Sequence, residues 1–269
     1  MIKSRRQLLF SETSVKPFND PDLFNIFFDK QKTYDNLSTY AIPTVSVKTN
    51  TLKSINSACK NLTKLIHQHQ GLTDFNSDIV MKDRFGAGGR YVFKFKSNKS
   101  KDMLAIVNKN PHISFIIQPF VNSISTPTDI RFIYLNGKIV QSYIRVAKSG
   151  EFRCNEHLGG LLTYLPLKDM SPSLVAKSAL IANIINKKHS LFALDFIVSG
   201  SNNAYLLEGN TSPGLDWNVA LTKNETEAKK LIQLVVSELA VRSKLRITRT
   251  YNAPVLPVEP ENQDWQWAH

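Results

Sequence analysis

The 269-residue sequence contains little cysteine and no long apolar run. Its two cysteines, Cys59 and Cys154, are far apart and form no CxxC pair, which argues against a disulfide framework and a cysteine-based zinc site. No stretch approaches the roughly 20 apolar residues of a membrane-spanning helix. The basic first residues are followed by too short an apolar run for a signal peptide. We therefore expect a reducing, cytoplasmic setting and no membrane partner.

The charge of the chain is unbalanced, with 34 Lys and Arg against 22 Asp and Glu and a net charge of +12 at pH 7. Such an excess attracts polyanions: nucleic acid, nucleotides or acidic peptides. A solvated, lysine-rich surface explains it as well, and we favour that explanation because the densest run, Lys94 to Lys101, alternates like solvent-facing strand residues. No basic stripe with interleaved aromatic residues is present, so a nucleic-acid partner is not expected.

Apolar periodicity predicts helices mixed with neighbouring hairpins, a pattern typical of an α+β fold. Asn136 and Gly137 predict a tight hairpin turn, and Pro119 predicts that the chain leaves its strand there. Helices are predicted over residues 21–27, 33–40, 51–70, 101–108, 171–185 and 224–242. Strands are predicted over residues 45–47, 79–81, 91–95, 114–121, 130–135, 138–146, 191–198 and 204–210.

A glycine-rich stretch follows the predicted strand 79–81. Lys82 ends that strand, and Gly86, Gly88 and Gly89 then form a loop whose backbone N–H groups can approach a ligand closely. A lysine beside bare amides is typical of phosphate binding. The stretch matches neither a Walker A loop nor a dinucleotide fingerprint. A glycine-rich hairpin turn beside a surface lysine explains it equally well, because turn glycines are common.

A second pattern lies in the predicted hairpin of residues 191–210. If residues 200–203 form its loop, Asp195 lies opposite Glu208, and Leu206, Glu208 and Asn210 share a face. Opposed carboxylates repel, whereas a magnesium ion would accept their oxygens and that of Asn210. The alternative is a solvent-facing polar strand, but the apolar neighbours indicate burial, which is costly for an unpartnered acidic pair. A phosphate loop together with a magnesium site is typical of ATP chemistry.

Four motifs have the order and spacing of one known family: VMK (80–82) with GAGGR (86–90), DIR (129–131), RVAKSGEFRCNEHLGG (145–160) and LEGNTSPG (207–214). They resemble the ATP-grasp family, most closely its RimK-type branch of glutamate ligases that act on a ribosomal protein or a cofactor tail. The resemblance runs from about residue 29 to about residue 240. It implies an ATP-grasp fold of two α+β subdomains that grip ATP.

The same resemblance implies the domain boundaries. The ATP-grasp domain would span residues 29–244, with the glycine loop in 29–121 and the metal ligands in 122–244. Residues 1–28 would be a short N-terminal segment, and residues 245–269 a tail with proline and tryptophan. Family members usually carry an N-terminal subdomain of about 100 residues before the ATP-grasp domain. Because only 28 residues precede Asp29 in this sequence, we expect that subdomain to be absent or much reduced.

The resemblance also implies roles for individual residues. ATP would be bound by Lys30, Lys82, Gly86, Gly88, Gly89, Gln118, Phe120, Val121 and Asp129. Magnesium, with Mn2+ as an alternative, would be bound by Asp195, Glu208 and Asn210. The residues beside the transferred phosphate would be Arg145, Arg153 and Asn155. The acceptor or acyl group would contact Ser212 and Gly214.

The activity that the resemblance implies is that of an ATP-dependent carboxylate–amine ligase, which forms an amide through an acylphosphate. The partners would be ATP, an amino acid and a peptide or protein acceptor. We expect an acidic acceptor because of the positive charge, and a homodimer if a second subunit completes the substrate pocket. Two alternatives stay open because a fold does not fix a function: a nucleotide-binding protein without ligase activity, and a basic nucleic-acid-binding protein on the same scaffold.

Overall fold

The computed structural model describes residues 18–69, 74–121, 126–214 and 224–243. The predicted tail 245–269 lies outside them, as does most of the predicted segment 1–28. The helices are α1 (Pro21–Phe27), α2 (Lys30–Leu37), α3 (Leu52–Gln68), α4 (Ser100–Lys109), α5 (Pro172–Ile185) and α6 (Glu225–Ser243). The strands are β1 (Val45–Ser46), β2 (Phe75–Asp83), β3 (Val92–Lys96), β4 (Phe115–Val121), β5 (Thr128–Leu135), β6 (Lys138–Val146), β7 (Leu161–Tyr164), β8 (Leu191–Val198) and β9 (Ala204–Asn210).

The small lobe consists of β1 to β4 with α3 and α4. Its antiparallel strands lie in the order β1-β4-β2-β3. The apolar stripe of α3, with Ile55 and Leu62, packs on Met81 and Ile117 of the sheet and on Met103 of α4. This single buried cluster makes the lobe a platform for the loop between β2 and β3.

The large lobe consists of β5 to β9 with α1, α2, α5 and α6, and its antiparallel strands lie in the order β7-β6-β5-β8-β9. Successive residues of a strand point to opposite faces. On β5, Phe132 and Tyr134 pack in the cluster that includes α1, α2 and α5. Ile133 and Leu135 point the other way, toward Leu231 of α6. Helices therefore cover both faces of this sheet.

The hairpin turns agree with the sequence. Asn136 and Gly137 connect β5 to β6 with φ angles of 52° and 76°, the left-handed backbone that an Asn-Gly turn requires. The predicted bounds of β8 and β9 are confirmed. Asp195 does lie opposite Glu208, but a bulge next to Phe196 produces that register.

The bulge corrects one expectation, that Leu206 and Glu208 share a face. Leu206 is fully buried in the large core cluster, whereas Glu208 lines a cleft on the opposite side of the hairpin. A bulge inserts an extra residue into one strand and so interrupts the alternation of faces.

Two further expectations were wrong in detail. Pro119 stays within β4, because the short β1 pairs only with Ile116 and Ile117 and requires no N–H from the proline. The helix predicted at 33–40 is α2, Lys30–Leu37, since the Asp29 side chain caps its N-terminus. Strand β7, Leu161–Tyr164, was not among the predicted strands. None of the helices in the described ranges is long and apolar enough to cross a membrane.

Candidate functional site

A cleft lies between the two lobes, and its wall carries residues of both. The structure brings most of the predicted site residues to its wall: Lys30, Lys82, Gly86, Gly88, Gly89, Gln118, Phe120, Val121, Asp129, Arg145, Arg153, Asn155, Asp195 and Glu208. The predicted residues that lie outside the wall are Asn210, Ser212 and Gly214.

Two lysines from different lobes meet in this cleft. Lys82 lies near the end of β2 and is 6% exposed, and Lys30 begins α2 and is 8% exposed. The Lys30 ammonium donates a hydrogen bond to the carbonyl of Gly86 in the glycine loop. Burial lowers the pKa of Lys82 to about 8; Lys30 acts in the same direction, and Glu208 and Asp195 oppose it.

The residue before Lys30 fixes its position. Asp29 accepts hydrogen bonds from the backbone of Gln31 and Lys32, which caps α2. The same carboxylate binds Arg84, with its Oδ1 2.7 Å from Nε and its Oδ2 2.6 Å from Nη2. The sequence indicated no role for this ion pair, which joins the start of α2 to the residue after β2.

Four charged residues form the floor of the cleft, and we call them the buried quartet: Asp129 and Arg131 of β5, Arg145 of β6 and Asp195 of β8. Arg131 binds both oxygens of Asp195 at 2.5 Å. Arg145 binds both oxygens of Asp129, at 2.7 and 3.0 Å, and reaches Asp195 at 3.0 Å. Each strong pair is directly opposed across neighbouring strands, where opposite charges stabilise a sheet.

The two carboxylates of the quartet differ in acidity. Burial raises the pKa of Asp129 to about 6, and the neighbouring Asp195 adds to the rise, although Arg145 opposes it. Burial also acts to raise the pKa of Asp195, but Arg131 and Arg145 outweigh it and hold that pKa below its usual value. The two guanidiniums therefore favour the ionised form of Asp195 in the cleft floor.

Arg131 was assigned no role from the sequence, although it lies within the DIR motif. Asp129 and Arg131 are two residues apart on one strand and so point to the same face. That spacing is the signal that identifies Arg131 as a second partner for the acidic residues of the floor.

The predicted metal ligands are only partly brought together. Glu208 lines the cleft opposite Asp195, and its carboxylate forms no hydrogen bond or ion pair with another described residue. Asn210 lies outside the cleft wall, and its side-chain oxygen accepts a hydrogen bond of 2.8 Å from the Ser212 backbone. Among the described residues, no three His, Cys, Asp or Glu side chains cluster as metal ligands.

The donor set nevertheless suits magnesium. Two carboxylates and an amide are the oxygen ligands that this cation prefers, and it usually keeps several waters besides one or two carboxylates. Because two guanidiniums engage the oxygens of Asp195, Glu208 is the member of this pair whose oxygens accept no hydrogen bond from another residue that the structure describes.

The glycine loop contacts the segment that follows β6. Gly89 has a φ of +69°, and a Cβ placed on it would lie 2.6 Å from the Asn155 Oδ1. Arg153 donates a hydrogen bond of 3.0 Å to the Gly89 carbonyl. Glu151 holds the Arg153 guanidinium at 3.1 and 2.7 Å, and this pairing lowers the pKa of Glu151 to about 2. Glu151 is a further residue of the site that the sequence did not indicate.

The end of β4 forms an apolar part of the wall. The Gln118 amide donates a hydrogen bond of 2.9 Å to the Thr44 hydroxyl, so the Gln118 side chain is already occupied. The Phe120 ring stands edge-on to Phe152 at 6.2 Å, and the Lys94 ammonium lies 3.5 Å from its centroid. This side of the cleft offers flat aromatic and backbone surfaces.

A family model for the RimK-like ATP-grasp domain matches residues 29–235. The chain belongs to the RimK-like ATP-grasp family. The resemblance drawn from the four motifs is thereby confirmed, and so is the expected ATP-grasp fold of helices and antiparallel sheets.

Curated proteins with similar sequences are described as glutamate ligases. A Legionella pneumophila (strain Corby) protein described as "Probable alpha-L-glutamate ligase" is 29% identical over 171 residues, which is 64% of this chain and 52% of that protein. The chain spans between 29% and 52% of the length of such curated relatives.

Solved structures share the fold at low identity. The D-cycloserine synthetase DcsG has a TM-score of 0.59 and 17% identity, with 88% of this chain and 79% of that chain covered. The ATP-grasp ligase PsnB, complexed with a phosphomimetic variant of its minimal precursor, Mg and ADP, has a TM-score of 0.55 and 12% identity, with 86% and 64% covered.

One further residue of the ATP-grasp cleft is a cysteine. Cys154 is buried in the cleft wall, and its Sγ lies 3.4 Å from the Pro127 carbonyl. Burial raises the pKa of Cys154 to about 12, and Asp129 adds to the rise. Since the thiolate is the nucleophilic form of cysteine, this thiol is suited to packing rather than to covalent catalysis.

Proposed function

We propose that this ATP-grasp domain binds ATP with magnesium and joins a carboxylate to an amine through an acylphosphate. The observation that carries the proposal is the meeting of Lys30, Lys82, the glycine loop and the Glu208 carboxylate in one cleft. Cations and bare amides bind a polyphosphate, and a free carboxylate beside them supplies a ligand for its metal.

In the proposed complex, the phosphates lie between Lys82, Lys30 and the backbone N–H groups of residues 86–89. The adenine lies along residues 118–121, where the Phe120 ring and the strand backbone are available. Asp129 is proposed to face the ribose, in keeping with its place in the cleft wall. Both of its oxygens bind Arg145, so any ribose contact would be shared with that arginine.

We propose Glu208 and Asp195 as the magnesium ligands, with Asn210 joining them when its hydrogen bond to Ser212 is released. When bound, magnesium neutralises charge on the phosphates and orients them. Arg131 and Arg145 hold Asp195 in place. Their positive charges compensate the cost of burying this carboxylate in the floor.

The proposed reaction has two steps. A substrate carboxylate oxygen bonds to the γ-phosphorus as the bond from that phosphorus to the β-phosphate oxygen breaks, which releases ADP. An amine nitrogen then bonds to the acyl carbon, phosphate leaves, and the nitrogen loses a proton. Positioning and charge neutralisation supply most of the rate in such transfers. We propose Arg145, Arg153 and Asn155, which line the cleft, for these roles.

The acceptor is proposed to be peptide-like and acidic, because the chain carries a net charge of +12. Ser212 and Gly214, exposed in the loop after β9, are proposed to contact it. A homodimer in which a second copy completes the substrate pocket is part of this proposal. Analytical ultracentrifugation tests it, since a fully active monomer would contradict the dimer.

The experiment that tests the function measures ADP release with ATP, magnesium and a panel of amino acids and acidic peptides. Glu208→Gln is expected to lower the rate at least about 100-fold, because metal-assisted charge neutralisation contributes several kcal/mol. Glu225→Gln, which alters a surface ion pair on α6, is the matched control and is expected to act as wild type.

Two outcomes contradict the proposal. Undiminished ADP release by Glu208→Gln would refute the site assignment. Nucleotide binding by the wild type without ADP release across the whole panel would favour a binding protein that lacks ligase activity.

A further inference from the structure

The strand that carries Lys82 is attached to the large lobe at both of its ends. Asp74 precedes β2 and Arg84 follows it directly. The side-chain hydrogen-bond partners of both residues lie on the large lobe, whereas β2 itself pairs only with β3 and β4 of the small lobe. The two sheets share no strand in the described part of the chain, so these side chains provide a polar connection between them.

At the Arg84 end, the partner is Asp29. Both carboxylate oxygens bind the guanidinium, at 2.7 and 2.6 Å, and the Lys30 backbone N–H donates a hydrogen bond of 3.2 Å to the Arg84 carbonyl. Bidentate pairing fixes orientation as well as distance. This end of β2 is therefore held against the start of α2.

At the other end, Asp74 is 1% exposed and points toward the β8–β9 hairpin. Its oxygens accept hydrogen bonds from the Ser201 hydroxyl, the Tyr205 hydroxyl and, at 2.8 Å, the Asn203 amide. Burial acts to raise the pKa of Asp74, but these donors outweigh it and hold the pKa below its usual value. The donors belong to the same hairpin that carries Asp195 and Glu208.

We propose that Asp74 and Arg84 are positioning residues that clamp β2 to the large lobe at both ends and thereby hold Lys82 opposite the Glu208 hairpin. This inference rests on the proposed function, because that function requires Lys82 and Glu208 to bind the phosphates and the metal of one ATP molecule. Lys82 and Glu208 belong to different sheets, and the clamp fixes the distance between them before a ligand binds.

The length of the strand explains why both ends must be held. From Asp74 to Lys82 the chain extends about 26 Å at about 3.3 Å per residue. A rotation of only about 5° about Asp74 would move Lys82 by about 2 Å, and misplacement by about 1 Å is enough to cost about 100-fold in rate. The Asp74 clamp alone leaves this rotation free. The Arg84 clamp alone leaves free a rotation that moves the opposite end of β2, where Phe75 pairs with Val121 of the cleft wall, and two clamps suppress both.

Asp78 provides a matched control on the same strand. It is buried like Asp74, but it pairs with Lys94 at 3.3 Å and Lys96 at 2.8 Å within the small lobe. Asp74→Asn and Asp78→Asn remove the same charge, but the contacts of Asp74 cross between the lobes, whereas those of Asp78 are ion pairs within the small lobe. Both changes make the protein more positive, so weaker binding of an anion cannot result from the charge change itself.

The first experiment measures the Kd of a fluorescent ATP analogue (mant-ATP) with MgCl₂. Asp74→Asn is expected to raise this Kd about 10-fold and Asp78→Asn less than about 2-fold. Equal Kd values for the two variants would overturn the clamp. Tyr205→Phe removes one of the three donors and keeps the ring; it replaces Asp74→Asn if that variant does not fold, and an unchanged Kd for it would likewise overturn the proposal.

The second experiment requires no nucleotide. Spin labels are attached at one exposed position of each lobe, through Lys60→Cys on α3 and Asn183→Cys on α5. Both changes are made in a Cys59→Ser background. The distribution of distances between the two labels is measured by pulsed electron paramagnetic resonance. Asp74→Asn and Arg84→Met are expected to broaden the distribution, and Asp78→Asn to leave it narrow. An unchanged distribution in the first two variants would overturn the clamp, whereas a wild type that does not bind mant-ATP would instead contradict the proposed function.

Discussion

Arg131 and Asp195 face each other across β5 and β8, and two parallel hydrogen bonds of 2.5 Å join the guanidinium to the carboxylate. Both side chains are almost fully buried. Removing one partner of a buried ion pair leaves an uncompensated charge, which is far more costly than losing a surface pair.

Arg131→Met is therefore expected to lower the free energy of unfolding by about 3–5 kcal/mol. Chemical denaturation followed by circular dichroism measures this change. Lys187→Met is the control, because its pairs with Asp20 and Asp22 are more exposed, and a loss of about 0–1 kcal/mol is expected. Similar midpoints for the two variants would show that Arg145 alone satisfies Asp195.

The low pKa of Lys82 leads to a prediction about protons. With a pKa of about 8 in the free cleft, Lys82 is mostly neutral at pH 9, and a bound triphosphate favours its charged form. Nucleotide binding is therefore expected to take up protons at pH 9 and to weaken as the pH rises above about 8. Calorimetry in two buffers of different ionisation enthalpy measures the uptake. Lys82→Met is expected to abolish it, and uptake that persists in this variant would assign the proton to another group.

Gly89 and Gly150 both have a left-handed backbone, and comparing them distinguishes the effect of backbone strain from the effect of a side-chain contact. Gly89 and Gly150 have φ angles of +69° and +80°, but only at Gly89 would a Cβ meet a neighbour, the Asn155 Oδ1 at 2.6 Å. Either substitution by alanine is expected to cost about 1–2 kcal/mol of stability because of the left-handed backbone. Gly89→Ala is expected in addition to weaken mant-ATP binding, since it displaces Asn155 and disturbs the Arg153 hydrogen bond. Equal binding by both variants would contradict a role for this contact in the site.

Local sequence signals predicted much of the fold. Asn136 and Gly137 positioned one hairpin, and the apolar runs on either side of residues 199–203 gave the bounds of β8 and β9. Features that depend on neighbouring strands were not visible. Pro119 remains in its strand because β1 is short, and the bulge that separates the faces of Leu206 and Glu208 arises from strand pairing.

Residues of the candidate site could be predicted from the sequence where the residue type itself indicates a chemical role. Lysine, glycine and acidic residues at motif spacing pointed to the cleft wall. Arg131 and Asp74 were not recognised, because the side chains that they bind are distant in the sequence. Glu151 was not recognised, because it lies outside the cleft wall and contacts the site through Arg153. Asn210 has the residue type of a metal ligand, but in this structure its side-chain oxygen accepts a hydrogen bond from the Ser212 backbone N–H.

The buried quartet contains two carboxylates and two guanidiniums, so its charges cancel at pH 7. The surplus of +12 then comes from the rest of the chain. Physiological salt weakens interactions between exposed charges beyond about 8 Å, whereas buried pairs are screened much less. Ionic strength should consequently slow the encounter with an anionic ligand while the floor of the cleft keeps its geometry, from dilute buffer to concentrated salt.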